Sequence, residues 1–178
     1  GHVSDQRRIG QPFQMKPQLF LGDAKGFTLQ TSFASNSGDG AGYWQRPALG
    51  RTLAAIDWNV DGKPDLVANH LDVPAALLEN RCEGGHGLQL ELIGTASERD
   101  AIGAAITVIC GDERFSHWVV AGGFLCSSEA MVDVGLGSRN EIDAVEVVWP
   151  NGREQRFTGL AVDRRYLLVE DEPDPVPR

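Results

Sequence analysis

The chain has 178 residues, of which 42% are hydrophobic, enough for a folded core in one large or two small domains. Its formal net charge of −9 argues against a nucleic-acid-binding or anionic-membrane surface and suits a divalent cation or a basic partner. No apolar run approaches the ~20 residues of a membrane span.

The first part of the chain predicts turns and short strands. Residues 1–16 are polar and basic, and we expect a disordered lead-in there. Strands are predicted at 18–21 and 27–30, joined by a glycine-containing hairpin turn. A glycine- and asparagine-rich stretch from 34 to 50 predicts a long loop.

The stretch from Asp57 to Asp65 is the most informative in the chain. Oxygen-bearing side chains occupy its positions 1, 3, 5 and 9, and these are Asp57, Asn59, Asp61 and Asp65. Gly62 at position 6 permits a sharp turn, and Lys63 at position 7 can supply its backbone carbonyl. Because Ca²⁺ takes six to eight oxygen ligands, this spacing predicts a calcium loop.

The surroundings of this loop favour a β-hairpin. A helix–loop–helix calcium site requires a bidentate Glu at position 12, where this chain has Ala68. The flanking residues 53–56 and 66–68 predict short strands instead of helices. The alternative is a turn of Asp, Asn and Gly residues that closes its own hydrogen bonds. Three carboxylates and an amide in alternation favour the cation, since without it the carboxylates would repel one another.

The second half of the chain alternates between strands and turns. Strands are predicted at 76–79, 88–92, 105–109, 115–120, 130–134, 144–148, 155–157 and 166–169, with turns at 111–113, 135–137 and 151–152. This spacing predicts a β-sandwich or barrel. The acidic, proline-rich tail 171–178 is expected to be disordered.

Several residues leave more than one interpretation open. The three cysteines, Cys82, Cys110 and Cys126, match no zinc spacing and allow either one disulfide with a free thiol or three thiols. Trp149 either covers the core or stacks on a sugar, and the core is favoured. The histidines are scattered, and no catalytic residue is predicted.

Two parts of the chain resemble known families. Residues 50–56 with the loop, 66–69 and 77–80 resemble an FG-GAP/VCBS repeat, a blade of β-propellers. Residues 88–94, 97–104, 135–137 and 145–152 resemble the ASPIC/UnbV domain, which typically follows such repeats, as in cartilage acidic protein-like chains. The first resemblance implies that Asp57, Asn59, Asp61, the Lys63 carbonyl and Asp65 bind Ca²⁺, although family loops often carry Asp at the position of Asn59.

The resemblance implies an all-β organisation. Residues 17–84 would form part of a propeller-blade segment, and 85–170 an antiparallel β-sandwich. A propeller needs about four to eight blades, so we expect the chain to be the C-terminal part of a larger protein, with possible homo-oligomerisation of this fragment.

The expected function is that of a non-catalytic, calcium-binding interaction module involved in cell adhesion, located outside the cell, in the periplasm or at the cell surface. Its partner would be a protein or carbohydrate of unknown identity. The alternatives are a domain of an enzyme acting on carbohydrate or small metabolites, and a structural assembly domain.

Overall fold

The computed structural model describes residues 10, 12–23, 25–30, 40–123 and 125–178. Residues 1–9 and 11 of the expected lead-in lie outside the described residues, as do residues 34–39 of the expected long loop. Across the described ranges the secondary structure is nearly all β, as predicted. No helix in these ranges is both long and apolar enough to cross a membrane.

The chain divides into two compact units. The first takes its described residues from Gly1–Ala54, Leu66–Leu78 and Phe124–Cys126. The second comprises Ala55–Asp65, Glu79–Gly123 and the described residues of Ser127–Arg178. The predicted calcium loop therefore belongs to the second unit.

The first unit contains a hairpin, a short helix and most of a three-stranded sheet. Its elements are β1 (Phe20–Asp23), β2 (Gly26–Leu29), α1 (Gly40–Gln45), β3 (Gly50–Ile56), β4 (Asp65–His70) and β5 (Ala76–Leu78). Strands β1 and β2 pair antiparallel, and the sheet has the order β3-β4-β5. The prediction of strands on both sides of the loop is confirmed.

The second unit is a sandwich of two four-stranded sheets. Its strands are β6 (His86–Ile93), β7 (Ala105–Cys110), β8 (Glu113–Trp118), β9 (Val132–Gly137), β10 (Ala144–Val148), β11 (Glu154–Phe157), β12 (Arg164–Val169) and β13 (Val176–Pro177). One sheet has the order β11-β10-β7-β8 and the other β13-β12-β6-β9. The predicted sandwich is confirmed, with one parallel pair, β6 and β12, among antiparallel ones.

The core lies between these sheets and follows a period of two residues. Leu88 and Leu90 of β6 face Ile106 and Val108 of β7 in one cluster, and each is at most 1% exposed. Alternate side chains point out of the sandwich, as strand geometry requires. Trp149 is also in this cluster at 2% exposure, which confirms the core interpretation.

Four segments differ from the sequence-based expectation. Met15, within the lead-in expected to be disordered, forms an antiparallel bridge with Ala48. The long loop predicted at 34–50 contains α1 and the first residue of β3.

The predicted turn at 135–137 is the end of β9, because Leu136, fully buried, continues the inward alternation begun by Val134. The tail expected to be disordered contains β13, in which Val176 lies opposite Leu167. This pairing satisfies backbone groups of β12 that would otherwise be unpaired at a sheet edge. The resulting stabilisation outweighs the tendency of an acidic, proline-rich sequence to be disordered.

The cysteines are three free thiols, one of the two arrangements left open by the sequence. Cys82 is exposed, Cys126 is half-buried and Cys110 is buried. Burial raises the pKa of the Cys110 thiol, as does the charge of Asp143. A thiol in this setting packs as a small apolar group.

Candidate metal loop

The loop joining β3 to β4 makes a tight turn. Its backbone reaches positive φ at Val60, with φ of 57°, and at Gly62, with φ of 83°. Glycine adopts this conformation without penalty, whereas a β-branched residue does so only when its surroundings hold it there. The turn at Val60 is therefore maintained by contacts of its neighbours.

The carboxylate of Asp57 lies at the centre of those contacts. Its two oxygens accept hydrogen bonds from the backbone N–H groups of Asp61 and Gly62, each at 3.0 Å. Asp61 in turn accepts from the N–H of Lys63 at 3.0 Å and from the side-chain amide of Asn59 at 3.0 Å. The loop thus curls around the carboxylate of its first residue.

Asp65 closes the base of the loop. It is 1% exposed, and its carboxylate accepts from the N–H of Trp58 at 3.0 Å and of Asn80 at 2.6 Å. The side-chain amide of Asn80 donates to the carbonyl of Pro64 at 3.2 Å. These bonds join the two ends of the loop to the segment that follows β5.

The sandwich supplies one further contact to the loop. The side-chain amide nitrogen of Gln89 lies 3.2 Å from Asp57 Oδ2 and 2.9 Å from Asp133 Oδ1, and donates to both. The pKa of the Asp133 carboxyl is raised, chiefly by burial and further by the charges of Asp57 and Glu129. The Gln89 hydrogen bond and the charge of Arg165 act in the opposite direction. Asp57 and the Asp133 carboxylate of β9 therefore share one amide donor, Gln89.

The arrangement meets part of what a calcium site requires. Carboxylate, amide and carbonyl oxygens are the ligands of a hard cation, and a carboxylate that accepts two N–H groups keeps lone pairs for a metal. Within the described part of the chain, however, no three His, Cys, Asp or Glu side chains lie close enough together to hold a metal ion. As described, the loop is closed by its own hydrogen bonds, which was the alternative interpretation of the sequence.

The repulsion expected among the loop carboxylates is offset by these N–H donors. Asp57, Asp61 and Asp65 each accept at least one backbone hydrogen bond. Gln89 and Asp133 were not identified from the sequence. Gln89 occupies an outward position in the alternation of β6, and nothing local marks it as a partner of a residue 32 positions earlier.

A second buried carboxylate, Glu170, lies at the end of β12. It is 1% exposed and accepts hydrogen bonds from a turn after β6 and from the β10–β11 turn. Its donors are the N–H groups of Thr95, Ala96 and Ser97 at 2.7–2.9 Å, the Ser97 hydroxyl at 3.1 Å and the Asn151 amide at 2.6 Å. Burial raises the pKa of this carboxyl, but the hydrogen bonds outweigh burial and lower the pKa to about 2.

The turn that surrounds Glu170 requires glycine at its first position. A Cβ on Gly94 would lie 2.2 Å from the carbonyl oxygen of Glu98. Five hydrogen bonds to one carboxylate tie three loops together, which points to a structural role.

The first unit contains an apolar cavity of about 420 Å³. Tyr43, Trp44, His70 and Leu66 contribute to its lining. The Tyr43 hydroxyl lies 3.4 Å from His70 Nε2, and His70 Nδ1 lies 3.1 Å from the carbonyl of Pro74. His70, an unassigned histidine in the sequence, therefore has structural partners within this unit.

Comparison with known proteins bears on the sandwich. Residues 94–175 match the family model described as ASPIC and UnbV. The ASPIC/UnbV match spans β7 to β12 and includes both Gly94 and Glu170, so it agrees with the resemblance noted in the sequence. The matched residues do not include the loop at 57–65. The comparison with curated proteins gives no match.

Proposed function

We propose that the loop from Asp57 to Asp65 binds a calcium ion and that the protein is a calcium-stabilised interaction module. The observation that carries the proposal is the curled loop in which Asp61 and Gly62 donate their N–H groups to Asp57. The turn contains the oxygen-bearing side chains at positions 1, 3 and 5, and position 9 is Asp65 at the start of β4.

The loop's resemblance to an FG-GAP/VCBS repeat supports the same assignment. Its ligands would be side-chain oxygens of Asp57, Asn59, Asp61 and Asp65 with the Lys63 carbonyl. Asn59 and Asp61 are exposed, so their side chains can rotate toward a cation without disturbing the core. When bound, calcium would neutralise the loop carboxylates and hold the turn rigid.

Hydrogen bonds within the protein would orient two of the calcium ligands. Asp57 is fixed by two N–H donors and Asp65 by two more, so both carboxylates are oriented before a cation arrives. Orientation in advance reduces the entropic cost of binding. With a net charge of −9, the module would suit an extracellular, periplasmic or cell-surface setting where calcium is abundant.

Calcium titration by calorimetry tests this function directly. The wild type should bind one ion with a dissociation constant on the order of 10⁻⁴–10⁻³ M, the range of extracellular modules. Asp61→Ala should weaken binding at least about tenfold, because it removes one charged ligand. Asp112→Ala, an exposed carboxylate in the β7–β8 turn, is the matched control and should leave affinity unchanged.

Two results would contradict the proposal. The first is a wild type that takes up no calcium at concentrations on the order of 10 mM, well above the expected range. The second is an equal loss of affinity in Asp61→Ala and Asp112→Ala, which would indicate diffuse attraction to an acidic protein instead of a defined site.

A further inference from the structure

Gln89 occupies an unusual position for an outward-facing residue. It lies on β6 between Leu88 and Leu90, which both point into the core, so its own side chain is on the outer face of the sheet. It is nevertheless only 7% exposed. A buried amide requires hydrogen-bond partners, because an unsatisfied one costs free energy.

Its partners come from two different segments of the second unit. In the register of the sheet, Gln89 lies opposite Asp133 of β9 and opposite Arg165 of β12. The two protons of its amide nitrogen serve Asp133 at 2.9 Å and Asp57 at 3.2 Å. One amide group therefore joins the first residue of the loop to the sandwich.

Gln89 contacts the carboxylate that the loop itself surrounds, that of Asp57. Asp57 Oδ2 accepts from both Gln89 and the N–H of Gly62. The other carboxylate oxygen accepts from the N–H of Asp61. Gln89 thus fixes from outside the same carboxylate around which the loop curls.

We infer that Gln89 is a positioning residue through which the sandwich holds Asp57 in its calcium-binding orientation. The inference rests on the proposed function of the loop. Its consequence is that calcium binding and the stability of the sandwich are coupled. Without the amide, the Asp57 side chain gains rotational freedom, and binding has to restrict that freedom again.

Two variants test the inference. Gln89→Leu removes both hydrogen bonds at similar volume, and Gln89→Asn keeps the amide but shortens its reach by one methylene. Both should weaken calcium binding about tenfold by calorimetry, equivalent to about 1.4 kcal/mol. Glu91→Leu is the control, since Glu91 is two residues along the same face of β6 and lies 3.6 Å from Arg165. Its dissociation constant should stay within about twofold of wild type.

A second readout separates positioning from general destabilisation. In chelator, melting shifts of Gln89→Leu and Asp57→Ala should be non-additive, because each variant removes one partner of the same hydrogen bond. Wild-type affinity in both Gln89 variants would overturn the inference while leaving the calcium function intact. If the wild type itself takes up no calcium, the proposed function is wrong, and the role of Gln89 in positioning a calcium ligand is wrong as well. Additive shifts in chelator would show that the amide bridge does not couple loop and sandwich.

Discussion

At the scale of single residues, buried carboxylates are the most constrained groups in the molecule. Asp65 and Glu170 are both 1% exposed, and both are surrounded by N–H donors. A buried carboxylate remains ionised only when hydrogen bonds or opposite charges compensate for lost water. Glu170 is the clearer case, since four residues donate to it.

Glu170 should make stability depend on acid pH. Its pKa is about 2 in the folded protein against an ordinary value of 4.5. Since the folded pKa is depressed, its stabilising contribution is fully present above pH 4.5 and is lost as the pH falls toward 2. Glu170→Gln should therefore melt at lower temperature than wild type at pH 7, and the difference should shrink between pH 4.5 and 2.

The matched control for this measurement is Glu154→Gln, an exposed carboxylate on β11. It should melt as the wild type does across the same pH range. Thermal melting followed by circular dichroism at several pH values decides the matter. If the difference in melting temperature between Glu170→Gln and wild type stayed constant down to pH 2, the hydrogen-bonded account of Glu170 would be contradicted.

The residues that could be predicted from the sequence are those whose partners are local. Asp57 and Asp61 stood out because their spacing falls within one loop. Gln89, Asp133 and Glu170 did not, because their partners are brought together by pairing of distant strands. A single sequence contains no signal for such contacts.

At the scale of elements, alternation of apolar and polar residues determines the sandwich strands. Ile106 of β7 is fully buried, whereas its neighbour Thr107 is half-buried on the outer face. Ile106→Ala should lower the free energy of unfolding by about 2–5 kcal/mol, because it leaves a cavity in a close-packed core. Thr107→Ala should change it by about 0.5 kcal/mol or less. Urea unfolding measures both, and similar losses would contradict the assignment of faces.

The same alternation explains which elements were predicted well. Strands β6, β7, β10 and β12 have apolar residues at every second position, and their positions were anticipated from residues 88–92, 105–109, 144–148 and 166–169. The end of β9 and β13 were missed. In both segments, glycine or proline composition favours turns, and only pairing with a neighbouring strand overrides it.

At the scale of the whole molecule, the loop belongs to the same compact unit as the sandwich. The sequence placed it in a blade segment ending at residue 84, since the chain is continuous there with strands β3 and β4. The hydrogen bonds of Asp57 and Asp65 instead connect it to β6 and to Asn80 within the second unit. A cation at the loop should therefore stabilise the sandwich.

Thermal melting in chelator, in a calcium series and in magnesium tests this account most directly. A ligand that binds only the folded state adds about 2.7 kcal/mol at a concentration of 100 times its dissociation constant. For a chain of this size that raises the midpoint by roughly 5–10 °C. We predict such a rise with calcium, little change with magnesium, and loss of the calcium effect in Asp57→Ala. Equal midpoints with and without calcium in the wild type would contradict the account and show that hydrogen bonds alone hold the loop.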